Sequence, residues 1–163
     1  MDNNKIKILL VDDEPDVLEV LSYNLLNQEY QIFTASDGSE AVIKAVEYMP
    51  HLIIMDVMMP NMDGIEACKI LRKDSKFNNT IIMFLTARGE DYSYVAAFDA
   101  GADDYVTKPI KPKVLMSKVK SLLRRLNNTD LNEELIKTGS LLIDREKYSV
   151  IYNGKVFSLP RKE

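Results

Sequence analysis

Five polar residues follow short apolar segments of this 163-residue chain. They are Asp12, Asp13, Asp56, Thr86 and Lys108. Carboxylates placed close together repel one another, and a hard divalent cation such as Mg²⁺ relieves that repulsion by binding their oxygens. A carboxylate beside such a cation, a lysine and a hydroxyl is equipped to attack phosphorus. The sequence therefore predicts a Mg²⁺-dependent phosphoryl-transfer site, with Asp56 as the candidate reactive residue.

A regular alternation of strands and helices is predicted up to residue 126, and it would bring these side chains together. Apolar runs predict strands over 5–11, 30–35, 52–56, 80–86 and 103–107, each followed by a segment with helical periodicity. This alternation predicts an α/β fold with a doubly wound, five-stranded parallel sheet. The carboxyl ends of parallel strands form one edge, where open α/β sheets build their sites.

The pattern changes after residue 126. Residues 127–137 are polar and acidic, which is typical of a linker. Residues 138–163 contain short strand-like runs, with a hairpin signal at Asn153-Gly154, and predict a partial antiparallel β segment. Because three short strands rarely form an independent core, we expect this segment to be the N-terminal fragment of a second domain.

Bulk composition excludes several classes of protein. The net charge is −4, and residues 1–126 by themselves also carry −4, so the main body is not a nucleic-acid binder by charge. The chain has one cysteine, Cys68, which suits a reducing compartment. Its N-terminus has no signal-peptide pattern, and no apolar run reaches the length of a membrane span. We expect a cytoplasmic protein without membrane contact.

Four motifs resemble the receiver domain of two-component response regulators. They are Val11-Asp-Asp-Glu14, Met55-Asp-Val-Met-Met-Pro60 with Asp63-Gly64, Leu85-Thr-Ala-Arg88, and Gly101-Ala-Asp-Asp-Tyr-Val-Thr-Lys-Pro109. The resemblance covers residues 5–126 and implies a flavodoxin-like receiver fold.

The resemblance also implies a role for each site residue. Asp56 would accept a phosphoryl group from a sensor histidine kinase. Mg²⁺ would be bound directly by Asp13, with Asp12 beside it, and by Asp56 and the Met58 backbone carbonyl. The Lys108 ammonium would pair with the phosphoryl group. The switch residues would be Thr86 and Tyr105.

The run from Gly101 to Tyr105 and the C-terminal segment resemble the OmpR/PhoB subfamily. Its members follow the receiver with a winged-helix DNA-binding domain that opens with a small antiparallel sheet. Residues 138–163 match the start of that domain, which implies a truncated effector domain here. DNA binding and transcription control would then require the complete winged-helix domain.

Phosphorylated receivers of this subfamily form dimers through the fourth helix, fifth strand and fifth helix. We expect Asp104 to meet Lys118 and Asp103 to meet Arg125, across or along a two-fold interface. An arginine–glutamate pair of the subfamily falls here on Tyr94 and Val114. Because both charges are absent, this contact would be apolar, or the dimer would be weaker.

Two other functions are compatible with parts of this pattern. A Mg²⁺-dependent phosphatase with an aspartate nucleophile would place a second acid two residues after the nucleophile, where this chain has Met58. Methionine cannot transfer a proton, so the chain is not expected to be an enzyme acting on external substrates; it would catalyse only its own phosphotransfer and dephosphorylation. The alternative is a stand-alone receiver that acts by protein–protein contact, against which the linker and the strand-like tail argue.

Overall fold

The computed structural model describes residues 5–26, 29–87, 91–137, 141–144, 149–152 and 155–158. Side chains are described up to residue 126, except those of residues 91–94. The chain divides into two compact units, Met1–Leu122 and Leu123–Glu163.

The first unit is built on five parallel strands in the order β2-β1-β3-β4-β5. The order reverses direction beside β1, as in doubly wound sheets, and it confirms the predicted fold class. The strands are β1 (Lys7–Val11), β2 (Gln31–Ala35), β3 (Leu52–Asp56), β4 (Ile81–Thr86) and β5 (Asp104–Thr107).

Five helices connect or follow these strands. They are α1 (Pro15–Leu26), α2 (Gly38–Tyr48), α3 (Gly64–Arg72), α4 (Asp91–Asp99) and α5 (Pro112–Lys137), with a short 3₁₀ helix at Ser75–Phe77. None of the helices in the described part of the chain is long and apolar enough to cross a bilayer.

The core lies on both faces of the central strands. Every residue of β3 and β4 is buried, which explains why their sequences are continuous apolar runs rather than alternating ones. On α5, Leu115, Val119, Leu122 and Leu126 lie at helical spacing on one face; the first three are buried and Leu126 is half-buried. Helices therefore cover the sheet as their sequence periodicity indicates.

Two helices begin at aspartates whose carboxylates accept backbone N–H groups. The Asp37 side chain accepts from the Glu40 amide at the start of α2, at 2.8 Å. The Asp63 side chain accepts from the Glu66 amide at the start of α3, also at 2.8 Å. These caps satisfy amides that have no partner within the helix, and they fix the loops on the carboxyl side of the sheet.

The second unit contains an antiparallel sheet in the order β6-β7-β8, with strands Leu141–Asp144, Ser149–Tyr152 and Lys155–Ser158. The partial antiparallel segment is thus confirmed, while the Asn153-Gly154 turn lies outside the described residues. Helix α5 continues to Lys137 through the segment interpreted as a linker. Since a linker can be helical, the domain boundaries at residues 126 and 137 stay a prediction.

Candidate metal and phosphoacceptor site

Three carboxylates meet at the carboxyl edge of the sheet. Asp12 and Asp13 follow β1, and Asp56 is the last residue of the neighbouring strand β3. One carboxylate oxygen from each of the three lies within 4.8 Å of the others. Asp12 and Asp56 are buried, whereas Asp13 is exposed. The arrangement concentrates negative charge in one place and leaves it open to solvent on the Asp13 side.

Lys108, beyond the end of β5, connects two of these acids. Its Nζ donates to Asp12 Oδ2 at 3.0 Å and to Asp56 Oδ2 at 3.1 Å. Burial tends to lower the pKa of Lys108, but the hydrogen bonds to Asp12 and Asp56 outweigh burial, and its pKa lies above the ordinary value. The ammonium is therefore charged and partly neutralises the cluster.

The Asp56 carboxylate is in an unfavourable environment for a negative charge. Burial, and then the nearby charge of Asp12, raise the pKa of Asp56, although the hydrogen bond from Lys108 opposes them. Its Oδ1 also accepts the Met58 backbone N–H at 3.3 Å. Asp12 is held from the other side, since its Oδ1 accepts the Glu14 N–H at 2.9 Å. A cation near Asp56 would relieve this electrostatic cost.

The start of α3 approaches the end of β3 very closely. A Cβ atom on Gly64 would overlap the Asp56 carbonyl oxygen. The Gly64 N–H donates to the Val57 carbonyl at 2.9 Å, and the Val57 N–H donates to Leu85 of β4 at 3.1 Å. Glycine at position 64 is thus required for the loop after Asp56 to fold tightly against the sheet.

Thr86 and Tyr105 lie on the strands beyond Asp56. The Thr86 hydroxyl is buried and, within the described residues, makes no hydrogen bond. A buried hydroxyl without a partner carries a desolvation cost that a newly arriving acceptor would remove. Tyr105 is half-buried, with its ring edge-on to Phe98 at 5.8 Å and the Lys118 Nζ at 5.8 Å from its centroid.

The residues expected at a dimer interface are spread over three elements: Tyr94 is on α4, Asp103 and Asp104 are just before and at the start of β5, and Val114, Lys118 and Arg125 are on α5. Asp104 pairs with Lys118 at 3.3 Å within one chain. Val114 is exposed, and the Tyr94 side chain lies outside the described residues. The pairings of Asp104 and Asp103 with residues of a second copy stay predictions.

Arg72 was not singled out in the sequence, yet it holds Asp103 in place. Its guanidinium donates to Asp103 Oδ2 at 3.0 Å and to the backbone carbonyls of Gly101, Phe77 and Thr80. The same Asp103 oxygen accepts the Ile82 N–H at 2.9 Å. An arginine in the last turn of a helix usually indicates a solvated or dipole-facing side chain, so the sequence gives no signal for this role.

These donors suit a hard cation. The three carboxylates are oxygen ligands of the kind that Mg²⁺ prefers, and no cysteine or histidine belongs to the cluster found among the described residues. The residues present therefore fit Mg²⁺.

Comparison with known proteins decides the family. A sequence model of the response regulator receiver domain matches residues 8–120. The chain belongs to the two-component response regulators. Its relatives include the alkaline phosphatase synthesis transcriptional regulatory protein PhoP of Bacillus subtilis, which is 40% identical over 166 residues covering 96% of this chain and 68% of PhoP. The DNA-binding response regulator MtrA of Mycolicibacterium smegmatis is 38% identical over 159 residues covering 98% of this chain and 68% of MtrA.

Solved structures give the same result for the receiver. A response regulator from Chloroflexus aurantiacus superimposes with a TM-score of 0.71 and 35% identity, covering 74% of this response regulator and 99% of that chain. The chemotaxis protein CheY4 of Vibrio cholerae gives a TM-score of 0.69 and 32% identity, with coverage of 72% and 98%. The receiver fold and the OmpR/PhoB-type relationship are thereby confirmed.

Proposed function

We propose that this response regulator is switched by phosphorylation of Asp56, with a sensor histidine kinase as the phosphoryl donor. The observation that carries the proposal is the Lys108 ammonium, which hydrogen-bonds both Asp12 and Asp56 beside a three-carboxylate cluster. If Lys108 and its two partners formed only a structural ion pair, a third acid beside them, the exposed Asp13, would have no role. The exposed Asp13 would leave the cluster accessible to a phosphohistidine.

Each residue has a part in the transfer. An Asp56 carboxylate oxygen attacks phosphorus while the bond from phosphorus to the histidine nitrogen breaks. Asp12, Asp13, Asp56 and the Met58 carbonyl would hold Mg²⁺, and the ion would neutralise charge on the phosphoryl oxygens. The Lys108 Nζ, already 3.1 Å from Asp56 Oδ2, shifts to a phosphoryl oxygen. The electron pair of the broken bond stays on that nitrogen, and the histidine leaves as a neutral imidazole because its other ring nitrogen carries a proton, so Met58 need not supply one.

The switch follows from the added charge. A phosphoryl group brings roughly −1.5 to −2 charge, by analogy with other phosphorylated residues. The unpartnered Thr86 hydroxyl moves to donate to it, and Tyr105 turns into the vacated space, leaving its contact with Phe98. Phosphorylation shifts the population toward this state only by its differential stabilisation of that state.

Phosphorylation drives the receiver to dimerise. Where the winged-helix domain is complete, the dimer binds DNA and controls transcription. Its contacts lie on α4, β5 and α5 and comprise Tyr94, Asp103, Asp104, Val114, Lys118 and Arg125. DNA binding is proposed on the resemblance of the C-terminal segment to a winged-helix domain and on relatives named as transcriptional regulators. We also propose a cytoplasmic location, because the relatives are named as transcriptional regulators.

The test combines metal binding with phosphorylation. Asp13→Asn removes a proposed ligand charge, so Mg²⁺ affinity and the phosphorylation rate with a small phosphodonor should fall together. Asp16→Asn is the matched control, because it makes the same charge change on α1 outside the cluster. Calorimetric titration gives the affinity, and intact mass gives the rate. Unchanged Mg²⁺ affinity in Asp13→Asn would remove this residue from the metal shell.

A further inference from the structure

The loop between β3 and α3, residues 57–63, is fixed at its beginning by the sheet. The Val57 N–H donates to Leu85, and the Gly64 N–H returns to the Val57 carbonyl. Met58 comes next, and its carbonyl is the one backbone group in the proposed metal shell. The position of that carbonyl therefore depends on what holds the rest of the loop.

The far part of this loop bends sharply at Asn61. The Met62 N–H donates to the Pro60 carbonyl at 2.8 Å, which closes a three-residue turn around Asn61. Asn61 has φ of 67°, a left-handed conformation that asparagine and aspartate tolerate better than most residues. Such a turn needs external support, because it is not a preferred conformation of the backbone.

The start of α2 supplies that support. Asn61 Nδ2 donates to Asp37 Oδ2 at 3.0 Å, while Asp37 Oδ1 caps α2 by accepting the Glu40 N–H. The next residue, Gly38, donates its N–H to the Met62 carbonyl at 2.9 Å. A Cβ atom at Gly38 would lie 2.6 Å from that carbonyl oxygen, so the two loops are in direct backbone contact.

We propose that Asp37 and Asn61 are positioning residues for the metal: their hydrogen bond sets the loop that presents the Met58 carbonyl, and Mg²⁺ affinity therefore depends on a contact outside the ligand set. The inference rests on the proposed function. Hydrogen bonds from the Glu40 amide, and then from Asn61, hold the pKa of Asp37 below its ordinary value. The acceptor is consequently ionised at neutral pH.

The pair allows an exchange of its two side chains. Asn61→Asp places two carboxylates against each other, whereas Asp37→Asn with Asn61→Asp restores a donor and an acceptor in reversed order. Asparagine caps a helix about as well as aspartate, and aspartate tolerates positive φ, so the backbone requirements are met in every variant. Asp37→Asn alone leaves two amides that still bond, without a charge on either.

Mg²⁺ titration of the full 163-residue chain is the readout. Asn61→Asp should weaken binding about three- to tenfold, Asp37→Asn less, and the double variant should return to within about twofold of wild type. A simple effect of charge predicts the opposite order, because the added carboxylate of Asn61→Asp would attract Mg²⁺. Asp74→Asn, which changes the cap of the 3₁₀ helix, is the matched control and should leave affinity unchanged.

Denaturation without Mg²⁺ shows whether each variant is fully folded under the titration conditions, so that a lower Mg²⁺ affinity of a folded variant can be assigned to positioning rather than to unfolding. Asn61→Asp binding Mg²⁺ as tightly as wild type, or a double variant that stays weak, would overturn the inference while leaving the proposed function intact. Absence of Mg²⁺ binding by the wild type would overturn both.

Discussion

Replacing Lys108 by methionine tests the electrostatics of the site. The substitution keeps an apolar stem and removes the ammonium that now lies 3.0 Å from Asp12 and 3.1 Å from Asp56. Two carboxylates with oxygens within 4.8 Å would remain without an internal cation. At that separation and an effective dielectric of about 20, two unit charges repel by about 3.5 kcal/mol. We expect the free energy of unfolding without Mg²⁺ to fall by about 3 kcal/mol.

The loss should depend on metal and on pH. Mg²⁺ can replace the missing positive charge, so adding it should stabilise Lys108→Met more than wild type. The pKa of Asp56 is already raised in the folded protein, and removing Lys108 raises it further. As pH rises, Asp56 loses its proton in the unfolded state at a pH of about 3.9, before it does so in the folded state. The free energy of unfolding therefore falls with rising pH until the folded-state pKa of Asp56 is passed. The difference in the free energy of unfolding between wild type and Lys108→Met is therefore largest at high pH and shrinks as pH falls toward 4.

Urea denaturation at two pH values, with and without Mg²⁺, measures these effects. Lys118→Met is the matched control, since its pair with Asp104 is more exposed and such pairs contribute about 0–1 kcal/mol. A Lys108→Met protein as stable as the control variant, or a deficit that Mg²⁺ does not reduce, would refute the electrostatic reasoning.

Three further predictions concern the switch, the dimer and the core. Thr86→Ala should keep much of the phosphorylation but lose most of the phosphorylation-dependent dimerisation, because its hydroxyl is the group proposed to move; normal dimerisation by sedimentation would count against the switch. Tyr94→Arg, which would face Val114 without an acidic partner, should weaken the phosphorylated dimer more than Lys118→Ala, and a dimer as tight as wild type would show that this contact is not made. Burial raises the pKa of Cys68 to about 11, so the native thiol should react with a disulfide reagent at pH 8 at least about a hundredfold more slowly than the urea-unfolded thiol; equal rates would contradict its burial.

The carboxyl ends of the strands could be predicted from the sequence, because apolar strand segments alternate regularly with helical segments. Apolar runs located Asp12, Asp56 and Thr86 at the ends of β1, β3 and β4, and parallel topology brought those ends to one edge. At that edge the oxygens of Asp12, Asp13 and Asp56 lie within 4.8 Å of one another. The chemistry of this cluster could therefore be anticipated before the distances were known.

Contacts between loops and long side chains could not be placed in this way. Asp37 and Asn61 are 24 residues apart, and their bond depends on how two loops approach each other. Arg72 and Asp103 are 31 residues apart, and their contact depends on how α3 packs beside the segment before β5. Likewise, the polar composition of residues 127–137 indicated a linker but does not fix its backbone, which is helical to Lys137.

The most direct test of the central claim is to locate the phosphoryl group. The chain should be treated with a small phosphodonor and Mg²⁺ and then analysed by peptide mass spectrometry. Because Asp56 is the buried carboxylate that shares Lys108 with Asp12, we predict one added phosphoryl group, on Asp56, and none in Asp56→Asn. A phosphoryl group retained by Asp56→Asn, or one found on another residue of the wild type, would contradict the account.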